Sequence, residues 1–323
     1  MKNLNVVVWG LGPHALKHIL PALHASKGIN LYGVCTRNPE VLVQTAKRWR
    51  CKSWSDPSDM LSDTQVDVVY ISTPIGLHAA QGELVLAANK HLWCEKPLSN
   101  ALTDTESLVQ ISRERGLSLA EGFMYLYHPQ FLAIRESLAS GVIGRPQTIT
   151  LWFGIPALEH PGFRADPRLG GGAFWDVGSY PISAVTMLIP QPEPQIEYSG
   201  RATMPGHLVD TSGSATIRYD NGIRAELEWR THCAYRNEID IWGTEGSVFS
   251  DRIFSKPDDY IPTLKFLDRN GRERVEAVRP ENHFIAMFTA FRNLVFNSVD
   301  AENERIMITR RARLMNKIEN AQT

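Results

Sequence analysis

A short apolar run, Leu4 to Trp9, passes directly into Gly10, Leu11, Gly12, Pro13, His14 and Ala15, and from there into a helical pattern. A strand, a GxGxxA turn and a helix in that order leave few folds open, because each small residue answers a separate steric demand. Gly10 makes the tight turn. Gly12 lets the backbone approach a pyrophosphate, and Ala15 lets the helix lie close on the sheet, while the N–H groups of the helix N-terminus attract the anion. Pro13 suits a first helical turn, where its missing donor costs nothing. The turn predicts a dinucleotide site with Gly10, Gly12, Pro13 and His14 among its contacts.

The rest of the first 121 residues carries the same rhythm. Strand candidates are Leu4 to Trp9, Ile29 to Cys35, Val66 to Ser72, Lys90 to Cys94 and Ser118 to Glu121, each brief and apolar enough to be buried on both faces. Helical stretches fall between them at His14 to Ala25, Pro39 to Trp49, His78 to Ala88 and Asp104 to Arg115. Alternation of this kind predicts an α/β Rossmann domain over residues 1–121, with a doubly wound parallel sheet. After Glu121 the pattern changes. A helix near Pro129 to Ser140 precedes long alternating strands at Gln147 to Phe153, Ser212 to Tyr219, Arg224 to Thr231 and Glu238 to Trp242, with helices at Phe174 to Leu188 and His283 to Phe296. Asp220, Asn221 and Gly222 are expected to supply the positive φ angles of a hairpin. Residues 122–323 therefore read as an α+β domain built on a large, mostly antiparallel sheet, serving substrate binding and oligomerisation.

Composition narrows the function classes. A net charge of −1 provides no basic field for a nucleic-acid backbone. Cys35, Cys51, Cys94 and Cys233 are scattered without CxxC pairing, which fits reduced thiols in a cytoplasmic protein and gives a metal no anchor. The N-terminal apolar stretch is too short for a signal sequence, and no run approaches the roughly 18 apolar residues of a membrane span.

Cofactor choice turns on the end of the second strand, where an Asp or Glu would hold the ribose hydroxyls of NAD. Thr36 and Arg37 stand there instead, and a hydroxyl with a guanidinium favours a 2′-phosphate. NADP(H) is the expected cofactor, with NAD(H) possible if Arg37 is only a solvated charge. The loop Ser72, Thr73, Pro74 to His78 is suited to lie beneath the nicotinamide. Glu95 and Lys96 close a further strand at the carboxyl edge, where open α/β sheets bind ligands.

With GLGPHA, TPIGLH, CEKPL, EGFMYLYHPQ, GVIGRP and GGGAFWDVGSYP in this order, the chain resembles the glucose-fructose oxidoreductase, inositol dehydrogenase and rhizopine catabolism (Gfo/Idh/MocA) superfamily over nearly its whole length. The resemblance implies that Lys96 is catalytic and that Glu95 and Pro97 shape its turn. Many members carry a His where Tyr180 stands here. The phenol resembles instead the nucleotide-sugar 3-ketoreductase branch, in which a lysine and a tyrosine are the paired catalytic groups. The stretches Tyr235 to Gly243 and Asp251 to Phe254 are similar to that branch as well.

The implied activity is the reduction or oxidation of a sugar carbonyl/alcohol pair, with a nucleotide-linked deoxyhexose as substrate. A free-sugar or trans-dihydrodiol dehydrogenase of the same superfamily and a silent dinucleotide sensor are the alternatives. Tyr180 is the expected proton donor, Lys96 the neighbouring cation, and Asp176, one helical turn before Tyr180, the group that positions sugar or lysine. Tyr125, Tyr127, Arg164, Trp175, Tyr235 and His283 are candidate substrate contacts. For several of these a bland reading stands beside the functional one. Arg164 and Arg168 suit either a diphosphate or a capped loop, Tyr125 and Tyr127 either sugar stacking or core, and His283 either the pocket or a structural hydrogen bond. A homodimer or homotetramer is expected from the open face of the second sheet.

Overall fold

The computed structural model describes residues 3–189 and 194–321, so the outermost residues of the two expected domains lie outside the described residues. The chain divides into two compact units, and each holds one sheet.

In the first unit the strands are β1 (Leu4–Trp9), β2 (Ile29–Cys35), β3 (Lys52–Trp54), β4 (Val68–Ile71), β5 (His91–Cys94) and β6 (Leu119–Glu121). They pair in parallel in the order β3-β2-β1-β4-β5-β6, so the strand order reverses between β1 and β4. All four residues of β4 are buried, as are five of the six in β1, because helices cover both faces. Those helices are α1 (Leu20–Ala25), α2 (Pro39–Trp49), α3 (Pro57–Ser62), α4 (His78–Ala87) and α5 (Leu102–Glu114). A π turn at Ala15–Ile19 leads into α1. Asn38 caps α2 by accepting from the Glu40 and Val41 amides, and Pro39 takes the first helical position.

The second unit contains α6 (Pro129–Ala139), β7 (Pro146–Gly154), α7 (Ser179–Leu188), β8 (Gln195–Ala202), β9 (Ser212–Arg218), β10 (Arg224–Arg230), β11 (Arg236–Gly243), β12 (Gly246–Asp251), β13 (Thr263–Asp268) and β14 (Glu273–Ala277). Its eight strands run β14-β13-β12-β11-β7-β10-β9-β8, antiparallel except where β7 meets β10. Burial alternates strictly along β10, as one covered face requires. The hairpin between β9 and β10 corrects an expectation: of Asp220, Asn221 and Gly222 only Gly222 takes a positive φ, of 86°, while the Asn221 side chain accepts from the Ile223 amide.

The expected contiguous second domain also needs correction. Residues 284–309 belong with the first unit, which comprises Met1–Gly122 and Phe284–Thr309. The reason is apolar packing by α8 (His283–Phe296), whose fully buried Phe288 and Phe291 lie 6.1 and 5.6 Å from the Trp93 ring of β5. The following helix α9 (Ser298–Asn320) continues this with buried Ile308 and with Arg305, which donates to the Leu117 carbonyl. Beyond residue 309, α9 belongs to the second unit, where the Ser199 hydroxyl donates to the Ile318 carbonyl.

Truncation of Phe291 tests this assignment. Phe291→Ala is expected to destabilise the first unit by about 3–5 kcal/mol, the usual cost of emptying a closed aromatic site. Urea unfolding followed by tryptophan fluorescence and circular dichroism measures it, and a loss near zero would detach α8 from that core.

Candidate functional site

The ends of β1, β2, β4 and β5 carry the predicted cofactor residues, all on the carboxyl edge of one sheet and around its point of reversal. Gly10 is required by the protein itself. It has φ 104°, its amide donates to the Cys35 carbonyl, and a Cβ there would lie 2.6 Å from the Ser72 carbonyl oxygen. Gly12 is different. A Cβ at Gly12 would meet nothing within 4 Å, so no neighbouring protein atom demands a glycine, and the free volume fits the pyrophosphate of a dinucleotide. Thr36 follows β2 with its amide bonded to the Trp54 carbonyl, and Arg37 beside it is exposed. Pro13 lies exposed at the turn.

Lys96 is 9% exposed on a turn whose neighbours are all held. The Glu95 carboxylate accepts from the Tyr70 phenol at 2.5 Å, and its Oε1 lies 3.1 Å from His14 Nε2. Burial pushes the Glu95 pKa upward, but the His14 charge, the hydrogen bonds from His14 and Tyr70, and Lys96 outweigh it and hold the group down to about 2. On the other side of Lys96 the Leu98 amide donates to Glu121 Oε1 at 2.8 Å. His14 therefore engages the lysine turn as well as following the glycines.

His78, expected among the cofactor contacts, is 1% exposed and occupies an interior position. Its Nδ1 lies 2.9 Å from the Pro97 carbonyl and its Nε2 2.9 Å from the Thr73 carbonyl. Burial pushes its pKa below the ordinary histidine range, Lys96 adds to that, and the two carbonyls and Glu95 oppose it. The Thr73 hydroxyl donates to Gln81 Oε1 at 2.6 Å, so α4 holds this loop at two points. Ser72 is tied through its amide to the Trp9 carbonyl, and Pro74 precedes a short 3₁₀ turn at Ile75–Leu77.

In the second unit, the glycine run before Phe174 packs the chain closely. A Cβ at Gly171 would collide with the Arg164 carbonyl and one at Gly172 with Asp210. Asp176 lies in a π turn, Phe174–Gly178, rather than in the α-helix that the spacing to Tyr180 assumed. Such turns recur at functional sites. Gly178 sits against the fully buried Trp229 ring of β10. Asp176 Oδ2 accepts from Arg164 Nε at 2.7 Å, while Arg168 pairs with Asp166.

Tyr180 opens α7 among four aromatic rings, edge-on to Phe153 and Phe123 at centroid distances of 5.0 and 5.8 Å and tilted against Phe254 and Tyr125 at 5.5 and 5.9 Å. Its hydroxyl lies 3.9 Å from Met124 Sδ. Tyr125 is fully buried, and its hydroxyl shares a hydrogen with Ser183 Oγ at 2.5 Å, which makes it a core residue. Tyr127 is half-buried in a 3₁₀ turn, and Trp175 stands edge-on to Phe174. His283 is buried, 6.3 Å from the His128 ring. Tyr235 is exposed and belongs to a separate group, donating to the Ser255 carbonyl and receiving from Asn237 beneath the Arg252 guanidinium. Lys96 and Tyr180 thus belong to different units.

Tyr70, Glu121 and Gln81 hold the loops and were not singled out in the sequence. The one available signal was Tyr70, since a phenol in a doubly buried strand needs a partner. Among the described residues no group of three or more His, Cys, Asp or Glu side chains is placed to hold a metal, and no helix is long and apolar enough to cross a membrane.

Residues 4–123 match the model of the oxidoreductase family with NAD-binding Rossmann fold, and residues 131–249 that of the GFO/IDH/MocA C-terminal domain. The dTDP-3,4-didehydro-2,6-dideoxy-alpha-D-glucose 3-reductase of Saccharopolyspora spinosa is 30% identical over 90% of this chain and 87% of its own. The D-xylose 1-dehydrogenase (NADP(+)) 2 of Haloferax volcanii is 28% identical over 73% of this chain and 72% of its own. The crystal structure of KijD10, a 3-ketoreductase from Actinomadura kijaniata, in complex with NADP and TDP-benzene superposes with TM-score 0.93 at 27% identity, covering 99% of this chain and 98% of that one. Structures of its variants replace one tyrosine by phenylalanine or one lysine by alanine. Those two positions are separated along that chain by the same number of residues as Lys96 and Tyr180 here.

Two measurements check the geometry. Gly12→Ala is expected to leave the melting temperature unchanged and weaken NADPH binding by about tenfold or more, as titration of nucleotide fluorescence would show; unchanged affinity would remove Gly12 from the site. Glu95→Gln should be less stable than the parent at neutral pH. Because the folded pKa lies near 2 and the unfolded one at 4.5, the Glu95 contribution is complete above about 4.5 and is lost as pH falls through about 2. Urea titrations of both proteins should show the gap between them closing over that window.

Proposed function

Because the chain belongs to the GFO/IDH/MocA oxidoreductase family, we propose that it is an NADP(H)-dependent ketoreductase acting on the 3-carbonyl of a nucleotide-linked deoxyhexose. The observation that carries this reading is a spacing along the chain: Lys96, on the buried turn after β5, and Tyr180, at the start of α7, are as far apart in sequence as the lysine and tyrosine varied in KijD10. Thr36 and Arg37 in place of an acidic residue support NADP(H).

Bound NADPH supplies the hydride that converts the ketone carbon to an alcohol carbon. The carbonyl oxygen then takes a proton, because an alkoxide left in a dry pocket is too costly. The Tyr180 phenol donates that proton. Lys96 is the cation this reading assigns to stabilising the developing oxyanion. Asp176 fixes Arg164 through Nε, and the guanidinium, still 36% exposed, suits the diphosphate of the substrate. The aromatic ring around Tyr180 keeps water from the transferring proton. Four free cysteines support a cytoplasmic setting. The exposed face of the eight-stranded sheet, with Trp242 67% exposed, supports a homodimer or homotetramer.

Lys96→Met should lose most of kcat while keeping NADPH affinity, and Tyr180→Phe should lose about 10²–10⁴-fold of kcat. The assay follows NADPH oxidation with a dTDP-linked 3-keto-deoxyhexose. Normal turnover by Lys96→Met defeats its role, and an unchanged rate for Tyr180→Phe moves proton donation elsewhere. Equal activity on free D-xylose, with no gain from a nucleotide, would replace the substrate reading with a free-sugar dehydrogenase.

A further inference from the structure

The His78 ring is met by an oxygen acceptor at each end. Nδ1 faces the Pro97 carbonyl and Nε2 the Thr73 carbonyl, both at 2.9 Å, in a position 1% exposed. Neither carbonyl can donate, and a neutral imidazole has only one N–H. A neutral ring would turn a nitrogen lone pair on a carbonyl oxygen at hydrogen-bond distance, where no water can step in.

We propose that His78 is a doubly protonated imidazolium that brackets the Thr73 loop and the Lys96–Pro97 turn, and so acts as a positioning residue for Lys96. The catalytic consequence rests on the ketoreductase reading above; the bracket itself does not. Two charged groups, Glu95 and Lys96, act on the ring electrostatically. Burial and the Lys96 ammonium disfavour a charged ring, and the Glu95 carboxylate and the two carbonyls favour it. Burial is the largest of these contributions and draws the ring's pKa below the ordinary histidine range; the geometry opposes it, because deprotonation would leave a nitrogen lone pair against a carbonyl oxygen at 2.9 Å in a closed interior. His78 opens α4 and Gln81, one turn later, holds the Thr73 hydroxyl, so the same helix end fixes the loop and the lysine turn together. The sequence motif TPIGLH thereby acquires a structural meaning: its histidine returns to the carbonyl of its own threonine and reaches across to the EKP turn.

The test combines a spectrum with two crossed variants. In the ¹⁵N-histidine-labelled wild-type holoenzyme, both His78 ring nitrogens should be protonated at about pH 7, and one unprotonated nitrogen overturns the proposal. The amide nitrogen of Asn stands near the place of Nδ1, and that of Gln near the place of Nε2. His78→Asn should accordingly weaken NADPH binding about tenfold more than it lowers kcat, and His78→Gln should lower kcat about tenfold more than it weakens NADPH binding. Variants that lose both quantities alike, with unchanged melting temperature, also overturn it. An imidazolium spectrum in a wild-type enzyme that reduces no nucleotide-linked keto sugar would leave the bracket standing and sink the substrate reading instead.

Discussion

A carboxylate removed from water must be met by donors, and the organisation of the first unit follows from meeting one. Glu95 at the end of β5 draws the Tyr70 phenol from β4 and His14 from the turn after β1 onto itself. Glu121 from β6 repeats the device one turn away by accepting from the Leu98 amide. Four strand ends are thereby joined by side chains beyond their backbone ladder, and the lysine lies between the two joints. Such support suits the role proposed for Lys96, since loose placement of a group that meets a reacting atom costs orders of magnitude in rate.

The second unit holds its candidate acid differently. Tyr180 is set by the aromatic edges of Phe153 and Phe123, by the tilted rings of Phe254 and Tyr125, and by a helix start pressed onto Trp229 through Gly178. Edge-to-face packing restrains the ring plane strongly. The π turn just before it shifts Asp176 out of α-helical register, which sends its carboxylate to Arg164. Simple i, i+4 reasoning from the sequence fails here because the extra residue in that turn leaves no trace in residue spacing.

What was legible in the sequence follows the same physics. β1 and β2 were read to their observed ends because doubly buried strands are unbroken apolar runs. β3 was missed, being three residues with only Trp54 half-buried, and so was β14, all five residues of which are exposed. α9 was missed because its charged residues mask its packing: Arg305 and Arg311 are buried within it. The glycine turn was legible since its constraints are local. The holders Tyr70, Glu121 and Gln81 were not, since their importance lies in partners 8 to 25 residues away.

At the end of β2 the distinction between backbone and side-chain recognition decides how the cofactor reading is built. The N-terminus of α2 would be a natural anion site, yet Asn38 already accepts from the amides of Glu40 and Val41. A 2′-phosphate at this edge must therefore be recognised by side chains, and Thr36 and exposed Arg37 are the ones the loop presents. Side-chain recognition can be exchanged without refolding the strand. The pyrophosphate recognition proposed for Gly12 is different in kind, because it would depend on a missing side chain and on the backbone path that Gly10 imposes against Ser72. Dinucleotide binding is thus built into the fold of this unit, whereas the choice between NADP and NAD rests on a few surface atoms.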